Sequence, residues 1–126
     1  VKKIYDRETY YNKKLLITER GTTFGYNNLV VDMRSLEIIK SLNVPIIFDG
    51  THSVQLPGGQ GDRTGGQREF VFPLAKAAVA VGINALFLEV HDNPDKGKSD
   101  AANMLSLEQL EQYLPLLIKI DRLVKE

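Results

Sequence analysis

An α/β fold on a parallel sheet follows from two observations. Short apolar runs alternate with longer amphipathic stretches, and the alternation repeats three times along the 126 residues. Residues 14–18 (KLLIT) form the first apolar run, and residues 32–42 follow as a helix with Leu36, Ile39 and Leu42 on one face. Residues 45–49 (PIIFD) predict the second strand. A glycine-rich loop leads to a second helix over residues 69–81, where Pro73 is tolerable in or near the first turn and Gly82 supplies the stop. Residues 85–88 predict the third strand. Ser106 with Gln109 three residues later is a capping-box signal for a last helix with Leu107, Leu110 and Leu114 inside, which Pro115 should kink or split.

Strands this apolar need cover on both faces, and three of them leave two open edges. The chain therefore either self-associates or is part of something longer. Its start at Val1, without an initiator Met and in what reads as the tail of a helix, fits the second expectation. No Ser/Gly/Pro-rich linker and no fixed-period repeat divides the chain, so residues 1–126 read as a single partial domain.

Sixteen Lys and Arg balance sixteen Asp and Glu, so no global field points to nucleic acid or an anionic membrane, and any phosphate recognition must be local. The absence of cysteine removes a disulfide framework, a thiolate metal site within the chain and a thiol nucleophile, and fits a cytoplasmic setting. No apolar run approaches the roughly 18 residues of a membrane span.

Polar groups gather where chemistry occurs in parallel sheets, just past the carboxyl ends of the strands. The first run leads into Glu19 and Arg20, the second into Asp49, Thr51 and His52, and the third into Glu89 and His91. Both histidines of the chain fall at strand ends. His52, Glu89 and Asp100 form a nitrogen and oxygen set for a divalent metal, with iron, zinc, manganese or cobalt favoured over calcium. Strand alternation puts His91 on the face of Glu89, as a further ligand or a supporting partner. The plainer alternative pairs Glu89 and Asp100 with Lys96, Lys98 or Arg20. Arg20 offers a planar fork to a phosphate or carboxylate, or else a salt bridge to Glu19 or Asp49. Residues 56–66 (LPGGQGDRTGG) match neither a Walker A nor a dinucleotide motif. They read as a lid with Arg63 available to an anion, or as a flexible surface loop.

The segments TERGTTFGYNNLVVDMRSL, PIIFDGTHSVQLPGGQGDRTGGQREF, FLEVH and SDAANML closely resemble the C-terminal part of the 3-deoxy-D-manno-octulosonate 8-phosphate synthase family. The resemblance implies a (β/α)8 TIM barrel, of which this chain supplies the last three strand-helix units. It also implies a condensation of phosphoenolpyruvate with D-arabinose 5-phosphate and water on the route to the Kdo sugar of lipopolysaccharide, in a homotetramer. By position, Arg20 matches the arginine that grips the phosphate of phosphoenolpyruvate. His52 matches a residue between that substrate and the metal, and Glu89 and Asp100 match two further metal ligands. The fourth ligand, a cysteine in the metal-dependent branch and asparagine in the other, lies outside this chain. The Ser-Asp-Ala context of Asp100 resembles the metal-dependent branch. The expected catalytic residues are thus His52, Arg20 and Asp49, and the expected substrate-binding residues Arg20, Gln55, Arg63 and Asn27. Two alternatives accompany this reading: a related heptulosonate-phosphate synthase using erythrose 4-phosphate, and a non-catalytic half-barrel that binds phosphorylated ligands.

Overall fold

The computed structural model describes residues 15–58 and 65–126. Val1, Lys14 and Arg63, and with them the expected helix tail and most of the expected lid, lie outside the described residues. Three parallel strands, β1 (Ile17–Glu19), β4 (Ile46–Asp49) and β7 (Ala85–Phe87), form a sheet in sequence order with β4 at its centre. The register pairs Thr18 with Ile47 and Ile47 with Ala85. The first strand is shifted towards Glu19 relative to the expected apolar run, because pairing with β4 selects its partners.

Helices α1 (Arg34–Lys40), α2 (Val71–Val81) and α3 (Leu107–Lys125) pack on one face of this sheet. Strand alternation sends Ile46 and Phe48, both fully buried, into a core with Leu36 of α1, Ala75, Ala78 and Val79 of α2, and Leu117 of α3. Burial of a side chain the size of Phe48 contributes about 1.5–3 kcal/mol. The α2–α3 contact is fixed by Phe72 stacked on Tyr113, with ring centroids 3.9 Å apart.

The opposite face of the sheet is open among the described residues. Thr18 and Ala85 are exposed there, and Phe87 is 43% exposed.

Local signals account for the element ends. Pro73 is the third residue of α2, where its missing N–H removes no bond from the helix, and a 3-10 turn over Arg68–Phe70 leads into it. Gly82 closes α2 in the left-handed conformation at φ 88°, a geometry that costs other residues strain. At the start of α3 the Ser106 side chain accepts from the Gln109 N–H, and the Gln109 side chain accepts from the Ser106 N–H. Pro115 does not split α3, which runs unbroken through it. Asn84 clips the edge of β4 by accepting from Ile46 N–H and donating its own N–H to the Ile46 carbonyl, both at 2.9 Å.

Three two-stranded pairs decorate the carboxyl rim of the sheet. They join β2 (Thr22–Thr23) to β3 (Leu29–Val30), β5 (Gln55–Leu56) to β6 (Gly65–Gly66), and β8 (Val90–His91) to β9 (Leu105–Ser106). The β5–β6 pair ties together the two ends of the glycine-rich loop, and β8–β9 fixes the segment that carries Asp100 between them.

Candidate metal centre

His52 follows β4 in a 3-10 turn (His52–Val54), and Asp49 at the end of that strand dictates its orientation. One Asp49 oxygen accepts the His52 backbone N–H at 2.9 Å, and the other faces Nδ1 at 2.7 Å. An ionised carboxylate only accepts, so Nδ1 carries a proton and the lone pair of the neutral ring sits on Nε2. The ring also stacks on Phe87, with centroids 5.8 Å apart. Nε2 is thereby turned towards Glu89, whose Oε1 lies 3.7 Å away.

Glu89 is held through its backbone on both sides. Its N–H donates to the hydroxyl of Thr51, a fully buried residue, at 2.7 Å, and its carbonyl accepts from Leu105 N–H at 3.0 Å. Asp100 enters from the loop before β9 in a left-handed conformation, φ 52°. Its carbonyl accepts from the N–H groups of Asn103 and Met104, which closes the turn.

Ligand atoms of His52, Glu89 and Asp100 all lie within 4.8 Å of one another. Donors about 2.1 Å from a tetrahedral ion stand ~3.4 Å apart, close to the His52–Glu89 spacing. The Oε2 atom of Glu89 is buried and has no hydrogen-bond partner among the described residues, an arrangement costing about 1–3 kcal/mol unless a cation or proton satisfies it. Asp49 fixes the imidazole through the nitrogen that faces away from the cluster, as outer partners of metal-binding histidines do. The residues present therefore fit a divalent metal.

The plainer pairings are not formed. Among the described residues, Lys96, Lys98 and Arg20 make no ion pair with Glu89 or Asp100, and Arg20 makes none with Glu19 or Asp49. Glu19 is engaged otherwise, accepting from Gly21 N–H at 2.6 Å and from the Ser35 hydroxyl at 2.7 Å. Exposed Arg20 instead donates from Nη2 to the Gln55 side-chain oxygen at 2.9 Å. Gln55 donates its amide N–H to Asp100 Oδ1.

His91 stands apart from the cluster. Its Nδ1 lies 2.8 Å from Asp92 and accepts from the Asn93 N–H at 2.9 Å, so the ring is used within its own loop. Asn27 lies in the turn between β2 and β3 at φ 50°, and its Oδ1 borders Gly58 rather than the hydrogen-bonded group. Sequence reasoning did not find the supporting roles of Thr51 and Phe87. A hydroxyl at a strand end and an aromatic before Glu89 were the available signals.

A family model described as DAHP synthetase I family matches residues 2–126. The chain belongs to the DAHP synthetase I family. Relatives of this chain carry the name 2-dehydro-3-deoxyphosphooctonate aldolase. The protein from Francisella tularensis subsp. novicida is 58% identical over 114 residues, which cover 90% of this chain and 42% of the relative. The Fusobacterium nucleatum protein is 56% identical over 114 residues, 90% of this chain and 41% of its own length. The Cyanothece protein is 59% identical over 108 residues, 86% of this chain and 40% of its own length. The chain thus spans about two fifths of the length of these relatives.

Proposed function

We propose that this chain forms the last three strand-helix units of a (β/α)8 barrel. The whole enzyme condenses phosphoenolpyruvate with D-arabinose 5-phosphate and water to give 3-deoxy-D-manno-octulosonate 8-phosphate and phosphate, in Kdo and lipopolysaccharide biosynthesis. The observation that carries this reading is the convergence of His52, Glu89 and Asp100 within 4.8 Å, in a chain 58% identical to proteins named for that reaction. The sheet order β1-β4-β7, with its helices on one face, suits the wall of such a barrel. The assignment includes a cytoplasmic homotetramer. Among the described residues, no helix is long and apolar enough to cross a membrane.

His52, Glu89 and Asp100 would hold a divalent iron, zinc, manganese or cobalt ion, with a fourth ligand outside this chain. Such an ion supplies Lewis acidity and lowers the pKa of bound water. Arg20, exposed at the rim, offers donors to the phosphate of phosphoenolpyruvate, and Gln55, Arg63 and Asn27 are assigned to substrate binding with it. Two anionic substrates must be brought together against their repulsion, and a guanidinium fork offsets it while fixing the orientation of the phosphate. In the reaction, carbon 3 of phosphoenolpyruvate bonds to the sugar aldehyde carbon, water adds at carbon 2, and the carbon–oxygen bond to phosphate breaks. Asp49 holds the proton on Nδ1 of His52 throughout, so the ring keeps its orientation.

The family description itself favours a second reading, condensation with erythrose 4-phosphate to a heptulosonate phosphate. Offering each sugar phosphate to the full-length enzyme and measuring phosphate release separates the two. The octulosonate reading expects release with arabinose 5-phosphate. Turnover with erythrose 4-phosphate alone would replace it, and none with either sugar would leave a binding protein. Chelator-treated enzyme is expected to lose activity and regain it with added divalent ion. Full activity in enzyme shown to be metal-free would remove the metal role.

A further inference from the structure

Gln55 joins two subsites that the sequence treats as separate. Its side-chain oxygen accepts from Arg20 Nη2 at 2.9 Å while its side-chain nitrogen donates to Asp100 Oδ1, across sequence separations of 35 and 45 residues. A primary amide can accept from a cation at one end and donate to an anion at the other in the same conformation. Glutamate at this position would face Asp100 with like charge, lysine would face Arg20 with like charge, and an apolar side chain would hold neither. The backbone of Gln55 is fixed as well, since it lies on β5 opposite Gly66 and its N–H bonds to the His52 carbonyl at the end of the 3-10 turn. The same short segment thus orients His52 at one end and Asp100 at the other.

From this arrangement we infer that Gln55 is a positioning residue that couples the anion-binding guanidinium of Arg20 to the metal-binding carboxylate of Asp100. The inference rests on the metal reading proposed above and adds to it a residue that touches no metal. With Oδ1 engaged by the amide, the Asp100 carboxylate is held in one orientation beside His52 and Glu89. With Nη2 engaged, Arg20 keeps its remaining donors for an anion. Loss of either partner frees Gln55 to turn away and loosens the other. Arg20 therefore assists metal binding through Gln55, although as a nearby cation it opposes metal binding by Coulomb repulsion.

That opposition of signs makes a double-mutant cycle decisive. Metal-free full-length protein is titrated with Co2+ by equilibrium dialysis for wild type, Gln55→Met, Arg20→Met and the double variant. Gln55→Met is expected to weaken Co2+ binding about 10-fold or more, as loss of an outer partner of a metal ligand does. The Coulomb effect of removing Arg20 is present in both backgrounds, whereas the effect relayed through Gln55 exists only when Gln55 is present. The change in Co2+ affinity caused by Arg20→Met should therefore be at least about three-fold less favourable in the Gln55 background than in the Met background. Equal effects in the two backgrounds would overturn the coupling while leaving the metal site standing. Wild type that binds no Co2+ would overturn both. Gln55→Asn keeps the amide but is one carbon too short to reach both partners. It takes the place of the Met variant in the cycle should that variant fail to fold, with the same expectations.

Discussion

Asp49 commits one carboxylate oxygen to the backbone of His52 and the other to its ring. Both contacts serve orientation, so substitution should act on the metal through His52 and not on the sheet. Asp49→Ala is expected to lower divalent-metal affinity about 10–100-fold while far-UV circular dichroism stays unchanged. Wild-type affinity in a metal titration would show that the ring needs no such support. Arg20 is a different case, because its guanidinium reaches no carboxylate among the described residues. Arg20→Ala in the full-length enzyme should cost about 2–4 kcal/mol in kcat/KM for phosphoenolpyruvate. A matching loss at saturating phosphoenolpyruvate, with KM unchanged, would move Arg20 from substrate holding to another role. The cluster of His52, Glu89 and Asp100 is legible in the sequence because each residue falls at or after a strand end. The contacts of Gln55 are not, because an amide has no spacing signature and its partners stand far away in the chain.

At the scale of elements, Gly66 on β6 is the most tightly packed glycine among the described residues. A Cβ there would sit 1.5 Å from the Oδ1 of Asn103, which is itself fully buried. Asn103 closes the Asp100 turn, so the base of the glycine-rich loop and the Asp100 segment share one packing site. Gly66→Ala should destabilise the protein by about 1–3 kcal/mol and lower its melting temperature. An unchanged melting curve would mean that Asn103 swings aside freely. The helix starts and stops are legible from local chemistry: Pro73, Gly82 and the Ser106–Gln109 box act within a few residues. The β2–β3 and β8–β9 pairs escape sequence reading because strands of two residues carry no periodicity. The shift of β1 has a related cause, since neighbouring apolar residues offer several registers and only β4 chooses among them.

Across the whole molecule, the parallel sheet follows from alternating apolar runs, whereas the enclosure that such strands require is not found within the described residues. Edge strands β1 and β7 flank β4, and the face opposite the helices carries exposed Ala85 and Phe87. If further strand-helix units complete the barrel, the intact mass of the native protein should exceed twice the 14.1 kDa of this sequence. A mass of 14.1 kDa with full turnover would refute the barrel assignment. The one-sided packing also bears on how substitutions would be tolerated. Along β4, polar replacements at Ile46 and Phe48 should be rejected even in the isolated chain. Those at Ile47, and at Ala85 beside it, would pass unnoticed there and be rejected only in the full-length protein. A mutational scan run on both lengths would therefore show a two-residue rhythm of tolerance, and the difference between the scans would trace the inner wall position by position.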